Sequence, residues 1–108
     1  MSETKQHLLN TILELCEELD ELGAETFFRN HEPLDVVSRI SHSGGRQDYI
    51  GAEIVIATGG PHIEVVTGGT NDRIVGYWGG DQIERSAESD TAWEWAVELF
   101  AEAVRAEH

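Results

Sequence analysis

The apolar residues near the start of the chain recur at alternating intervals of four and three, the period of an amphipathic helix. This stripe consists of Leu8, Ile12, Leu15, Leu19 and Leu22, and it is widened by Leu9 and Cys16. The pattern predicts a helix over residues 4–28. Gly23 is a candidate C-cap inside that span, so Phe27 and Phe28 either extend the helix or belong to a renewed one.

A short second helical segment is predicted after Pro33, because proline suits the first turn of a helix. Val36, Val37 and Ile40 would form its apolar side. A loop is predicted over residues 41–48, which contain two adjacent glycines.

The pattern then changes to short apolar runs separated by glycines, which is typical of strands and tight turns. The predicted strands cover residues 52–58, 62–67, 72–78 and 81–85. Residues 68–71 are predicted to form a hairpin loop, and Gly79 and Gly80 a tighter one, since glycine accepts the positive φ of such turns. Connections this short favour an antiparallel meander.

A last helix is predicted from Thr91 to about residue 105, with Thr91 and Glu94 at capping-box spacing and Ser89 and Asp90 as rival N-caps. Its predicted core face consists of Trp93, Val97, Phe100 and Val104. The fold class expected is a two-layer α+β fold: an N-terminal helix, an antiparallel four-stranded meander and a C-terminal helix, with both helices on one face of the sheet. The length favours a single acidic domain over residues 1–108.

The net charge of the chain indicates the class of partner. The chain has 21 acidic residues against 7 basic ones, a formal net charge of −14. Such a charge repels nucleic acid and attracts basic proteins, so a basic protein or nucleoprotein complex is the expected partner and direct nucleic-acid binding is not. Adaptation to high salt or a need for solubility is the alternative explanation, and a single lysine, Lys5, fits a saline or GC-rich background.

No apolar run approaches the length of a bilayer span, and the first five residues lack a signal-peptide pattern. We therefore expect a cytoplasmic protein without a membrane partner, in the host cytoplasm if a phage encodes it. The sequence leaves self-association into a homodimer open.

Catalytic and metal-binding patterns are absent from the sequence. The histidines at positions 7, 31, 42, 62 and 108 are scattered, and Cys16 is alone, so neither a metal nor another cofactor is expected. The paired glycines lie between strands, which favours hairpins over phosphate loops. The expectation is a protein without enzymatic activity; the alternative is a site assembled from His31, His42 and nearby acids.

The acidic residues form rows on the predicted helices. Like charges four residues apart cost a helix roughly 0.2–0.5 kcal/mol per pair, so such rows suggest a partner-binding role, although a merely solvated face is the alternative. Beside them, Trp95 and Leu99 lie off the predicted core face and would either anchor an interface or pack against the first helix. Tyr77 and Trp78 are similar candidates, with core filling as the alternative. The predicted partner-binding residues are Glu14, Glu17, Glu18, Glu21, Glu25, Glu94, Trp95, Glu98, Leu99 and Glu102.

The segments 59–65, GGPHIEV, and 76–81, GYWGGD, resemble stretches in small acidic proteins of phages and mobile elements. Size, acidity and the lack of catalytic motifs also resemble anti-defence proteins such as anti-CRISPRs. The resemblance implies a stoichiometric inhibitor whose acidic surface blocks a basic nucleic-acid-binding site on a host defence complex. The alternatives are an immunity or antitoxin-like protein that neutralises a basic toxin, and a general acidic interaction module.

Overall fold

The computed structural model describes residues 3–68 and 71–107, and side chains as far as residue 103. The chain forms an α+β fold in which a five-stranded antiparallel sheet, ordered β1-β2-β3-β4-β5, is combined with three helices. The elements are α1 (Glu3–Leu22), α2 (Ala24–Asn30), β1 (Asp35–Ser43), β2 (Arg46–Ala57), β3 (His62–Thr67), β4 (Arg73–Trp78), β5 (Asp81–Ser86) and α3 (Thr91–Glu107). None of the helices in the described residues is long and apolar enough to cross a membrane.

The first predicted helix is confirmed as two helices that meet at Gly23. Gly23 has a φ of 78°, and its amide donates to the Leu19 carbonyl over 3.0 Å, which ends α1. Helix α2 begins at the next residue and contains Phe27 and Phe28. The stripe on α1 is buried from Leu8 to Leu19, but Leu22 is 44% exposed because the helix ends there.

The helical segment predicted after Pro33 is wrong, because residues Asp35–Ser43 form strand β1. The predicted loop over residues 41–48 is instead a hairpin, in which Gly44 and Gly45 at φ 57° and 81° supply a two-residue turn. The apolar spacing at Val36, Val37 and Ile40 fits a single helical turn or an edge strand equally well. Pairing with β2 decides between them, because it supplies backbone hydrogen bonds that a short helix lacks. The sheet therefore has five strands, whereas the predicted meander had four and did not include β1.

The other strands fall close to their predictions. Strand β3 covers the predicted residues, β4 and β5 differ by one residue at one end, and the turn at Gly79 is confirmed. Residues 69 and 70 of the predicted hairpin loop at 68–71 lie outside the described residues. Strand β2 begins at Arg46, six residues earlier than predicted. Its pairing with β3 starts only at Ala52, so the preceding part of β2 pairs with β1 alone and forms a two-stranded arm, residues 40–50.

The core lies between the helices and one face of the sheet. Strand register aligns the fully buried side chains Ile54, Val65 and Ile74 across β2, β3 and β4. Helix α1 packs over β4 and β5, and α3 packs over β2 and β3. The approach of α1 is close enough that a Cβ at Gly76 would lie 2.6 Å from the Ile12 side chain, so this position requires glycine. The expectation of both helices on one face of the sheet agrees with this packing.

The predicted core face of α3 is wrong. The helix buries Ala92 and Ala96 against the sheet, whereas Val97 is 41% exposed and Phe100 stacks on Tyr49 of the arm. Two alanines on one side allow a helix to approach a sheet closely, and the larger apolar residues then lie beside the contact. The fourth residue predicted for that face, at position 104, has its side chain outside the described residues.

Candidate partner-binding groove

A groove of about 510 Å³ lies between the corner where α1 meets α2 and the outer side of α3. We call it the acidic groove. Its apolar lining includes Ala24, Trp95 and Leu99, and its carboxylates are Glu25, Glu94, Glu98 and Glu102. All four of these glutamates are exposed. The groove thus joins six of the ten predicted partner-binding residues, drawn from α2 and α3.

The two walls of the acidic groove are tied together by hydrogen bonds between distant parts of the chain. The Ala24 amide donates to the Thr91 hydroxyl over 3.0 Å, linking the starts of α2 and α3. The Asp20 carboxylate accepts bonds of 2.9 and 2.8 Å from the amides of Glu88 and Ser89, linking the end of α1 to the loop before α3. These bonds fix the spacing of the walls.

Asp72 positions the N-terminus of α3. Its carboxylate accepts a bond of 2.7 Å from the Thr67 hydroxyl and one of 3.1 Å from the Ala92 amide, which lies in the first turn of α3. Asp72 is 1% exposed, and burial raises the pKa of its carboxyl although these hydrogen bonds act in the opposite direction. Of the predicted caps, Ser89 is used: its hydroxyl accepts from the Thr91 amide over 3.0 Å. The bond between Asp72 and Ala92 has no local signal in the sequence, because the two residues are 20 positions apart.

Trp95 is the anchored aromatic residue of the groove. Its ring packs on Phe28 of α2 with centroids 4.3 Å apart, and the side chain remains partly exposed. Leu99, one turn later, is 36% exposed. The pair therefore offers an apolar strip between carboxylates. The packing partner of Trp95, Phe28, lies within the span predicted for the first helix, in the part that forms α2.

The remaining predicted acids lie outside the groove. Glu14, Glu17 and Glu21 are exposed on α1 but do not line the groove. Glu18 has partners within the chain: its carboxylate is 2.8 Å from the His31 imidazole and accepts a bond of 3.3 Å from the side-chain amide of Asn30. The turn at Gly23 brings the end of α2 back to Glu18, so the spacing of residues along a single helix does not predict this pairing.

The histidine pair considered for an enzymatic site is separated in the structure. His31 follows α2 and contacts Glu18, whereas His42 lies near the arm's turn. His42 is seven residues from the start of β1, roughly 23 Å along an extended strand. Within the described residues no group of three His, Cys, Asp or Glu side chains could hold a metal ion.

Cys16 has the environment of a buried thiol. It lies in the core between α1 and β5, with its sulfur 3.7 Å from the Arg85 carbonyl. Burial, followed by the charge of Asp20, raises the pKa of the thiol to about 11. A thiol with so high a pKa is protonated at neutral pH and is a poor nucleophile.

The aromatic residues at the end of β4 do not line the groove. Trp78 is partly buried against the core and contacts the His7 ring at 5.8 Å. Tyr77 is 39% exposed on the opposite face of the sheet, beside His62. Core filling accounts for Trp78, and Tyr77 stands apart from the acidic groove.

Comparisons with known proteins add nothing to this geometry: no protein-family model, curated protein or solved structure matches the chain.

Proposed function

We propose that the protein is a stoichiometric inhibitor that binds a basic segment of another protein in the acidic groove. The observation that carries the proposal is the meeting of an apolar strip, Trp95 and Leu99, with carboxylates from two helices. Aromatic anchors are enriched at the energetic centres of interfaces, and carboxylates select lysine and arginine. A bare cation would need the carboxylates alone, whereas a basic protein segment would use both features.

The carboxylates on α3 are placed at a cost to the helix itself. Glu94, Glu98 and Glu102 follow one another at four-residue intervals, and each like-charged pair costs roughly 0.2–0.5 kcal/mol. None of the three forms an ion pair with another described residue. Glu25, by contrast, is 3.2 Å from Arg29 on the same helix, an exposed pair of small energetic weight. A partner's lysines or arginines would relieve the repulsion along α3.

The class of partner follows from this chemistry. Surfaces with clustered lysine and arginine are typical of proteins that bind nucleic acid, and an acidic protein bound at such a surface would exclude the nucleic acid by occupying it. We therefore favour an inhibitor of the anti-CRISPR kind, directed at a basic nucleic-acid-binding site of a defence complex.

The first prediction separates the acidic groove from the other acidic surface. The triple change of Glu94, Glu98 and Glu102 to lysine is expected to abolish binding of a basic amphipathic peptide rich in leucine and arginine, because like charges then face each other across the contact. Binding is measured by tryptophan fluorescence, since Trp95 lines the groove. Captured protein from a host lysate at low salt then provides the natural partner for the same titration.

The matched control is the triple change of Glu14, Glu17 and Glu21 to lysine, which alters net charge by the same amount on exposed positions of α1. This variant should bind the peptide with an affinity close to that of the native protein. Equal loss of binding in both variants would mean that only the total charge of the protein matters. Unchanged binding in the α3 variant would contradict the proposal that the acidic groove is the binding site.

The second prediction concerns ionic strength. Affinity for the peptide should fall steeply between low salt and about 0.5 M salt, with the association rate most affected, because the exposed carboxylates are screened over roughly 8–10 Å at physiological ionic strength. The measurement is a salt series of association and dissociation rates. Rates that stay flat over this range would contradict recognition by charge.

A further inference from the structure

Strand β1 is an edge strand of the sheet. Among the described residues it pairs with β2 on one side only, so alternate amides and carbonyls on its other side lack a strand partner there. Natural edge strands are usually blunted by charges or proline. Strand β1 carries one charge of each sign, Asp35 and Arg39, as β5 at the opposite edge carries Glu84 and Arg85. Along β1 and the residue before it, however, Leu34, Val37 and Ile40 are 59%, 47% and 39% exposed. Three exposed apolar residues along one edge are typical of a strand that pairs with another chain.

We propose that β1 pairs antiparallel with β1 of a second copy about a two-fold axis at Val37, forming a continuous ten-stranded sheet. The sequence of the strand itself fits this register. With Val37 on the axis, Leu34 lies opposite Ile40 of the second copy, and Asp35 lies opposite Arg39 of the second copy. Each contact occurs twice by symmetry, and favourable cross-strand pairs of this kind stabilise antiparallel strand pairing.

Neighbouring registers lack this agreement. An axis at Asp35 or at Arg39 would place identical charges opposite each other, which is destabilising. An axis at Val36 or at Ser38 would place Val37 against a charged residue. Self-pairing about Val37 is the register of these five that matches both the apolar and the charged positions.

Asp35 and one terminal nitrogen of Arg39 are available for the new contacts. Asp35 has no ion pair or hydrogen-bonded side-chain partner among the described residues. Arg39 bonds to Glu53 through Nε and one terminal nitrogen, Nη2, and this leaves Nη1 for a second carboxylate. Pro33 has no amide hydrogen, so the ladder would end at Leu34 on each chain. The ladder thus spans residues 34–40 of both copies, and the charges of its two Asp35 and two Arg39 side chains sum to zero although the whole chain is strongly acidic.

A charge-swap experiment tests the register, with mass measured by light scattering across a concentration series in physiological salt. The native chain should reach the mass of two chains. Asp35→Arg and Arg39→Asp should each remain monomeric, because two like-charged pairs replace two ion pairs. An equimolar mixture of the two variants should dimerise again, since every pair across the axis is then of opposite charge. A native chain that stays monomeric, or a mixture that dimerises no better than either variant alone, would overturn the proposal.

A disulfide test is independent of charge. Val37→Cys should form a disulfide-linked dimer on mild oxidation, because directly opposed residues of antiparallel strands have Cα atoms about 4.5–5.5 Å apart, within disulfide range. Ser41→Cys is the control, since two copies of position 41 would lie roughly 27 Å apart in this register. Cys16 is buried and does not interfere. Equal cross-linking of the two variants, or none at position 37, would also overturn the proposal.

Discussion

Phe27→Ala is expected to lower the free energy of unfolding by about 3–5 kcal/mol, the range for removing a fully buried phenylalanine. Phe27 is 0% exposed, and its ring centroid lies 5.3 Å from that of Phe28 and 4.7 Å from that of His31. Alanine would remove most of the side chain that joins α2 to the core and leave a cavity. Since small domains are stable by only about 5–15 kcal/mol, the loss is large, and urea denaturation measures it.

Phe100→Ala is the matched control for this change. Phe100 is only partly buried, and its ring stacks on Tyr49 of the arm with centroids 4.8 Å apart. Its loss should cost clearly less, about 1 kcal/mol, the scale of one aromatic pair. Comparable destabilisation of the two variants would contradict the burial of α2 described above. A loss of peptide binding in a folded Phe27→Ala variant would further show that α2 holds Trp95 in place through Phe28.

The parts of the fold that the sequence predicts well depend on local periodicity. The stripe from Leu8 to Leu19 specifies α1 because each apolar residue lies one turn from the next, and short alternation bounded by glycines specifies β3. Local periodicity did not identify strand β1, because the spacing of Val36, Val37 and Ile40 suits both a helical turn and a strand. The pairing with β2 decides between them, and it is not a local property of the sequence. A two-residue turn at Gly44 and Gly45 was the available signal, since adjacent glycines favour hairpins.

The face of α3 was mispredicted for a different reason. Ranking residues by size selects Trp93, Val97 and Phe100 as the core face, whereas the helix approaches the sheet through Ala92 and Ala96. Small residues become the contact when helix and sheet lie close together, and the sequence does not specify that distance. Because α3 contacts the sheet through Ala92 and Ala96, Leu99 remains exposed in the acidic groove.

Only the part of the candidate site that lies within a single helix could be predicted from the sequence. The row of Glu94, Glu98 and Glu102 follows from helical spacing alone. That Glu25 joins this row while Glu18 turns to His31 depends on the bend at Gly23, which sequence spacing does not fix in space. The role of Asp72 was not predicted, because the Ala92 amide that donates to its carboxylate is 20 positions away in the chain.

Asp72→Ala is expected to cost about 2–6 kcal/mol of unfolding free energy, since two buried groups are left without a partner and each costs about 1–3 kcal/mol. The change removes the acceptor of both the Thr67 hydroxyl and the Ala92 amide. Because Ala92 lies in the first turn of α3, the wall of the acidic groove should loosen as well. Thermal melts measure the loss. Asp48→Ala, at an exposed position with only a 3.7 Å ion pair, should change stability by less than about 0.5 kcal/mol.

Asp72→Asn distinguishes the charge of this group from its hydrogen bonds. Because burial raises the pKa of the Asp72 carboxyl in the folded state, the protonated form is favoured by folding. The resulting stabilisation is fully present below the ordinary carboxyl pKa of about 3.9 and is lost as pH rises through the raised folded value. Asparagine does not titrate, so the variant should gain stability relative to the native chain between acidic and neutral pH. If the variant instead loses stability relative to the native chain as pH rises, the fold favours the carboxylate. The hydrogen bonds that the carboxylate accepts, including the one from the first turn of α3, would then outweigh its desolvation.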